Sequence, residues 1–320
     1  MKNMVTIDDI ESARKRISGY IKTTPLHSSR LLSELTGASV YLKLECNQIT
    51  GSFKVRGALN RLLTLSPEET ESGVITASTG NHGLGISFAA QQLGIHTRVV
   101  FPIGASEVKR HRMESAGVEV IQEVGYEEIE PHARQLAKKL GITYVSPYND
   151  PEIVAGAGTS GLEIIEHLKD IDAIFVPIGG GGLISGIAIA TKALSPKTQV
   201  IGVQAEVSPE VHDSWIAGHW VNSKESDSLA QGLMGGVEPD SITLDLISNH
   251  VDRIVLVSEK SIKSAMRFLY EEESLIIEGA GAVTTAALIE NSTDFVGKNV
   301  VLVVSGGNIS RDDFLSQIKE

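Results

Sequence analysis

Apolar residues along this chain recur with two periods, and the two periods take turns. Val74 to Ala77, Thr97 to Phe101, Val118 to Ile121 and Thr143 to Val145 are short apolar runs of strand length. Between them, Leu84 to Leu93, Glu107 to Ala116 and Glu127 to Leu140 carry helical spacing, and Gly94, Gly117 and Gly141 stop them. This succession predicts a small parallel α/β unit. The flanks follow the same logic. Ile7, Ile10, Ala13 and Ile17 mark a helix behind Thr6 as its cap, and Ser28 to Leu35 reads as a helix before Gly37. Val40 to Leu44 alternates as a strand does. From Ser52, read as an N-cap, the residues Val55, Ala58, Leu59, Leu62 and Leu63 form one helical stripe. Ala173 to Ile178 is the strongest strand signal and runs into Gly179, Gly180, Gly181 and Gly182, then a helix from Leu183 to Leu194. Gln199 to Val203, Arg253 to Val257 and Asn299 to Val304 read as further strands. Residues 206–250 have no clear period. The expected fold class is α/β with parallel sheets in two domains. A small domain, 75–149, is inserted in a large one made of 1–74 and 150–320, with a cleft between them.

Composition narrows the partners. The net charge of −12 over 320 residues disfavours nucleic acid and anionic membrane surfaces. Cys46 is the single cysteine, so no intrachain disulfide or paired-cysteine zinc site is possible. No signal peptide or membrane span is read, and the cytoplasm is the expected location. No appended regulatory domain is expected after the last strand.

Three loops and one lysine carry candidate chemistry. Lys54 borders the buried stripe of its helix. A lysine aimed partly inward is paired, snorkels, or loses its charge. The last case gives an amine able to act as nucleophile or base. Snorkelling is the plainer alternative for the lysine alone. Four glycines between a strand and a helix form an anion cradle, for which a phosphate is the natural occupant. Neither nucleotide fingerprint fits, because G-x-G-x-x-G fails at Ile184 and Ser185 and no Walker run occurs. Ser78 to His82 joins a strand to a helix N-terminus and suits a carboxylate. Ser305 to Asn308 leaves the last strand with glycines that permit close approach. An aldehyde for Lys54, a phosphate for the glycines and a heteroaromatic ring for Asn81 and Ser305 describe pyridoxal phosphate.

The chain resembles the fold-type II pyridoxal-phosphate enzymes of the serine/threonine dehydratase (ammonia-lyase) and serine racemase family. The matching stretches are Leu42 to Glu45, Gly51 to Ala58, Ser78 to His82, Pro177 to Leu183, Glu278 to Ala282 and Ser305 to Asn308. The resemblance implies a tryptophan synthase β-like fold with the active site between two domains. It implies that Lys54 carries the cofactor and takes the α-proton, with Phe53 near the ring. Asn81 would meet the ring hydroxyl and Ser305 the ring nitrogen. Gly179, Gly180, Gly181, Gly182 and Leu183 would hold the phosphate. Ser78, Thr79, Asn81 and His82 would surround the substrate carboxylate. The implied reaction is β-elimination from a hydroxy-amino acid to a 2-oxo acid and ammonia. L-Threonine, L-serine, a 3-hydroxyaspartate and a hydroxyectoine-derived compound are the candidates. Racemases of this family have a serine where this chain has Thr79, which ranks amino-acid racemisation second. A β-replacement synthase ranks third, and a cofactor-binding ligand sensor is the non-enzyme alternative. A homodimer is implied as well. Relatives that bind a divalent cation match here at Glu206 and Glu210. His212 stands where a second carboxylate is expected, so that site is altered or absent.

Overall fold

The computed structural model describes residues 5–105 and 107–319. Two sheets organise the chain. The larger is six-stranded, in the order β1-β2-β10-β7-β8-β9. Its strands are β1 (Leu26–Ser29), β2 (Ser39–Leu44), β7 (Ala173–Pro177), β8 (Gln199–Ala205), β9 (Arg253–Val257) and β10 (Asn299–Val304). The smaller has the order β5-β4-β3-β6 and is parallel throughout. It comprises β3 (Val74–Ala77), β4 (Thr97–Val100), β5 (Glu119–Ile121) and β6 (Thr143–Tyr144). Among the described strands, β1 alone runs antiparallel, against β2.

Strand order fixes where the chemistry lies. β10 pairs in parallel with both β2 and β7. The C-terminal ends of these three neighbours therefore point the same way. β2 leads to the Lys54–Leu63 helix, β10 to Ser305, and β7 to the glycine loop. Crevices at such strand ends are the usual binding places of α/β sheets. β3 contributes the fourth segment, since the Asn81–Leu93 helix follows it.

The Lys54 helix begins later than its pattern suggests. Phe53 is its N-cap, and no side chain caps it. Ser52 instead forms a bridge with Gly306, and the amide of Phe53 donates to Ser305 O at 3.1 Å. Those contacts hold the backbone before Lys54 to the end of β10, so the first turn starts after Ser52. The helix packs on the Pro151–His167 helix with almost no gap. A Cβ on Gly156 would lie 2.5 Å from Arg56 O, and one on Gly57 would lie 2.8 Å from Ile153 O. Glycine at both positions lets the backbones touch and sets the height of Lys54.

Beneath that helix lies a buried ionic network. Arg56 donates to both oxygens of Glu45 (2.8 and 2.9 Å) and to both oxygens of Glu163 (2.7 and 2.9 Å). Lys43 pairs with Glu163 and donates to Thr24 O at 2.9 Å. Lys43, Glu45 and Arg56 are all 0% exposed. Two cations and two carboxylates balance, and Thr24, Thr159 and Ser160 fill remaining positions. The alternating pattern of Val40 to Leu44 suggests an outward Lys43. The strand lies inside the sheet, however, and both of its faces are covered.

At the N-terminus Thr6 caps the Ile7–Ile17 helix reciprocally with Asp9. Ser28 and Ser29 belong to β1, and the helix after them is Arg30–Thr36. Ser29 is its cap, so the start of this helix is two residues later than its pattern suggests. Within 206–250, the segments Glu210–Ala217 and Ile242–His250 are helical.

Candidate active site

Lys54 Nζ donates to Pro147 O at 2.9 Å and sits 5.2 Å from the centre of the Phe53 ring. Burial lowers its pKa to about 8. Desolvation penalises the ammonium, and no carboxylate among the described residues offsets that penalty. At pH 7 about a tenth of such amines are neutral, against roughly one in three thousand for an ordinary lysine.

The residue after Pro147 reaches the glycine loop. A Cβ on Gly180 would stand 2.3 Å from the Tyr148 ring, and one on Gly179 would stand 3.1 Å from Leu233 Cα. Gly181 has φ +88°, a left-handed value that favours glycine. It caps the Gly182–Leu194 helix, whose first amides thus face out of the loop. Thr243 Oγ1 donates to Gly180 O at 2.7 Å and fixes the loop from below. Leu183 is buried at the second position of the helix. Lys54 and the glycine cradle are therefore joined through two consecutive residues, Pro147 and Tyr148.

Ser305 is 4% exposed, and its hydroxyl donates to Ala280 O at 3.3 Å. Its neighbour Gly306 is where the segments converge. A Cβ there would lie 2.3 Å from Glu278 Oε1 and 3.2 Å from both Asn81 Nδ2 and Ser52 Cβ. Asn81 Nδ2 donates to Glu278 Oε1 at 2.5 Å, and Asn81 Oδ1 accepts from Asn308 Nδ2 at 2.7 Å. Burial pushes the Glu278 carboxyl up, against the charge of Lys109 and the Asn81 hydrogen bond.

The loop before Asn81 is built by its own hydroxyl. Ser78 Oγ accepts from the amides of Gly80 (3.1 Å) and Gly83 (2.7 Å), which leaves its hydrogen for another partner. Thr79 is exposed, and Asn81 opens the helix, so the first helical amides face the same space. His82 is 4% exposed. Neither ring nitrogen has a partner at good hydrogen-bond geometry, and the Val145 backbone beside it acts to raise the pKa. Burial first, and then the charge of Lys54, keep its pKa well below the usual range, so the ring is neutral.

Among the described residues no group of three or more His, Cys, Asp or Glu side chains could hold an ion. Glu206 is exposed, and Glu210 accepts from the amide of Val237 at 2.7 Å. His212 Nδ1 meets Asp213 Oδ1 at 3.0 Å. The Glu210 and His212 side chains are thus engaged locally.

Pro147, Tyr148, Glu278 and Asn308 were not singled out as site residues by pattern. Glu278 and Asn308 do lie inside stretches that match the family, and that was the available signal.

A buried amine, a glycine cradle for an anion and a ring of polar groups between them define a site for a phosphorylated aldehyde. The unpartnered buried atoms Ser52 Oγ and both His82 nitrogens, and a loop that admits no Cβ at Gly180, fit such a group. The chain belongs to the pyridoxal-phosphate-dependent enzymes, whose family profile matches residues 17–306. It is 42% identical over 307 residues to an L-threonine ammonia-lyase of Thermotoga maritima, covering 96% of this chain and 76% of that one. Among solved structures it is similar to the processed form of threonine deaminase isoform 2 from Solanum lycopersicum, with a TM-score of 0.90 and 33% identity over 97% of this chain and 93% of the other. It is also similar to maize serine racemase, with a TM-score of 0.91 and 30% identity over 98% and 99%. The fold is that of the fold-type II enzymes, the cofactor is pyridoxal phosphate, and the enzyme is an ammonia-lyase acting on an amino acid. Among the described residues no helix is long and apolar enough to cross a membrane.

Proposed function

We propose that this ammonia-lyase removes the β-hydroxyl and the amino group of L-threonine, with L-serine as a second substrate. One observation carries the reading: the amine of Lys54, its pKa lowered to about 8, is linked through Pro147 and Tyr148 to an anion cradle. The names of the relatives at this identity support threonine as the first substrate to try.

Bound pyridoxal phosphate supplies the electron sink that makes an amino acid's α-proton acidic. Gly179 to Gly182 and Leu183 would hold its phosphate by backbone amides. Asn81 would donate to the ring oxygen, Ser305 would offer the ring nitrogen a neutral hydroxyl, and Phe53 would pack near the ring. Ser78, Thr79, Asn81 and His82 receive the substrate carboxylate at a helix N-terminus. The Lys54 amine would take the α-proton from one side. The β-hydroxyl would leave as water with that proton. The resulting enamine takes up a water and gives a 2-oxo acid and ammonia. Thr79 is the only hydroxyl we assign to the opposite side, and its β-branch restricts its rotamers. Elimination is therefore favoured over two-base racemisation.

Assays of purified enzyme with L-threonine should show equal release of 2-oxobutanoate and ammonia. Lys54→Ala should lose both turnover and the visible band of the bound cofactor. An active Lys54→Ala enzyme overturns the reading. Exchange of stereochemistry in recovered substrate, without 2-oxo acid, assigns the racemase alternative. Cofactor binding without turnover on any amino acid assigns a sensor. We place the working enzyme in the cytoplasm as a homodimer, supported by its likeness to the family. Light scattering checks the dimer.

A further inference from the structure

We propose that Glu278 and Asn308 are positioning residues that lock the Asn81 amide, so that it offers the cofactor ring only an N–H and never its carbonyl. The proposal rests on the reading of Asn81 as a ring contact.

An asparagine amide is ambiguous, because oxygen and nitrogen occupy nearly the same volume. Here its direction is settled from both ends by groups of one polarity. Arg112 Nη1 donates to Asn308 Oδ1 at 3.0 Å. A guanidinium has no acceptor, so the Asn308 oxygen must face it. That turns Asn308 Nδ2 to Thr50 O (2.8 Å) and Asn81 Oδ1 (2.7 Å), which use its two hydrogens. Asn81 Oδ1 is thereby engaged, and Asn81 Nδ2 points to Glu278 Oε1 at 2.5 Å. Turning Asn81 over would set oxygen against oxygen at Glu278 and N–H against N–H at Asn308. Both contacts are repulsive, and the glycines beside them let the groups come close. Glu278 Oε1 and Asn81 Nδ2 crowd the place of a Cβ on Gly306, at 2.3 and 3.2 Å, and Asn308 Oδ1 crowds that of Gly51 at 2.5 Å.

Asn81 Nδ2 has two hydrogens, and Glu278 takes one. The other remains for a ligand. Whatever atom of the ring meets it must accept a hydrogen bond, as a deprotonated ring oxygen does. The lock also links the two sheets. Asn81 and Arg112 follow strands of the four-stranded sheet, while Glu278 and Asn308 belong to the six-stranded part. Residues of one part thus set the polarity of a ring contact that belongs to the other.

The test compares holoenzyme of wild type, Glu278→Leu, Glu278→Gln and Asn308→Asp. Cofactor affinity is read by equilibrium dialysis, and the visible band is titrated with pH. Glu278→Leu removes the acceptor, and Asn308→Asp places an acceptor against Asn81 Oδ1. Each should weaken cofactor binding at least tenfold and shift the pH titration of the band. Glu278→Gln keeps an oxygen for Asn81 Nδ2 and should bind within threefold of wild type. Native affinity and band in Glu278→Leu, or a Glu278→Gln as impaired as Glu278→Leu, overturns the proposal. If Glu278→Leu does not fold, Asn308→Asp decides alone, and an unchanged Asn308→Asp overturns it. Failure of the reading beneath it looks different. Wild type would then take up no cofactor, or Asn81→Ala would leave affinity and band unchanged.

Discussion

Replacing Arg56 by methionine would leave Glu45 and Glu163 buried, with Lys43 as their one remaining cation in the network. Arg56 makes two bidentate carboxylate pairs and further bonds to Thr159 and Thr24. Breaking a buried pair from one side costs about 3–5 kcal/mol, because a charge is left without compensation. Domains of ordinary stability hold only ~5–15 kcal/mol. With a urea slope of about 3 kcal/mol/M the midpoint should fall by roughly 1–2 M. The loss should also depend on pH. Burial alone would push the Glu45 carboxyl up, but the Arg56 charge and hydrogen bonds outweigh it and hold it below the ordinary value. In wild type its contribution is therefore present above the unfolded value of about 4.3 and is lost as pH falls through the folded one. Without Arg56, burial dominates and the folded pKa lies above the unfolded one. The variant should then gain stability as pH falls toward the unfolded value, so the gap to wild type narrows over that fall. A double variant, Glu45→Gln with Arg56→Met, should lose less than Arg56→Met alone. A loss under about 1 kcal/mol, or a gap that does not change with pH, would refute the reasoning.

Three further outcomes are expected. Gly180→Ala drives a methyl into the Tyr148 ring, and should weaken cofactor binding at least tenfold while lowering Tm; dialysis and calorimetry check both. Glu278→Gln should raise Tm at about pH 7.5 by roughly 2–4 °C. The wild-type carboxyl has a folded pKa above its unfolded one, so wild type loses stability as pH rises through it, and the difference should vanish below about pH 4. The rate at which cofactor-free protein takes up pyridoxal phosphate should rise with pH through an apparent pKa of about 8, as the Lys54 amine becomes neutral; stopped-flow absorbance reads it.

Strand and helix identity was legible wherever apolar period and glycine stops agreed. Arg253–Val257 and Asn299–Val304 have the bounds that their apolar runs suggest. The six-stranded order was not legible, since nothing local says that β10 lies between β2 and β7. The missed features share a cause. Lys43, Glu45 and Arg56 look like surface charges when read singly, and become a core only when Glu163 arrives from a distant helix. Ser52 has the residue type of a cap, but its backbone is taken by Gly306, so its hydroxyl caps nothing. In each case a neighbour that the local pattern does not reveal decided the outcome.

The place of β10 has a consequence for how the enzyme is made. Lys54 and the glycine loop are synthesised first, and the strand that joins their two supporting strands follows more than a hundred residues after both. Until residues 299–304 leave the ribosome, β2 and β7 have no common neighbour, and Ser305 has no place beside Phe53. Such long-range closure is slow and leaves sheet edges open in the meantime. Cofactor capture is thus deferred until that strand is in place. A nascent chain released before β10 would carry the reactive lysine without the site that disciplines it.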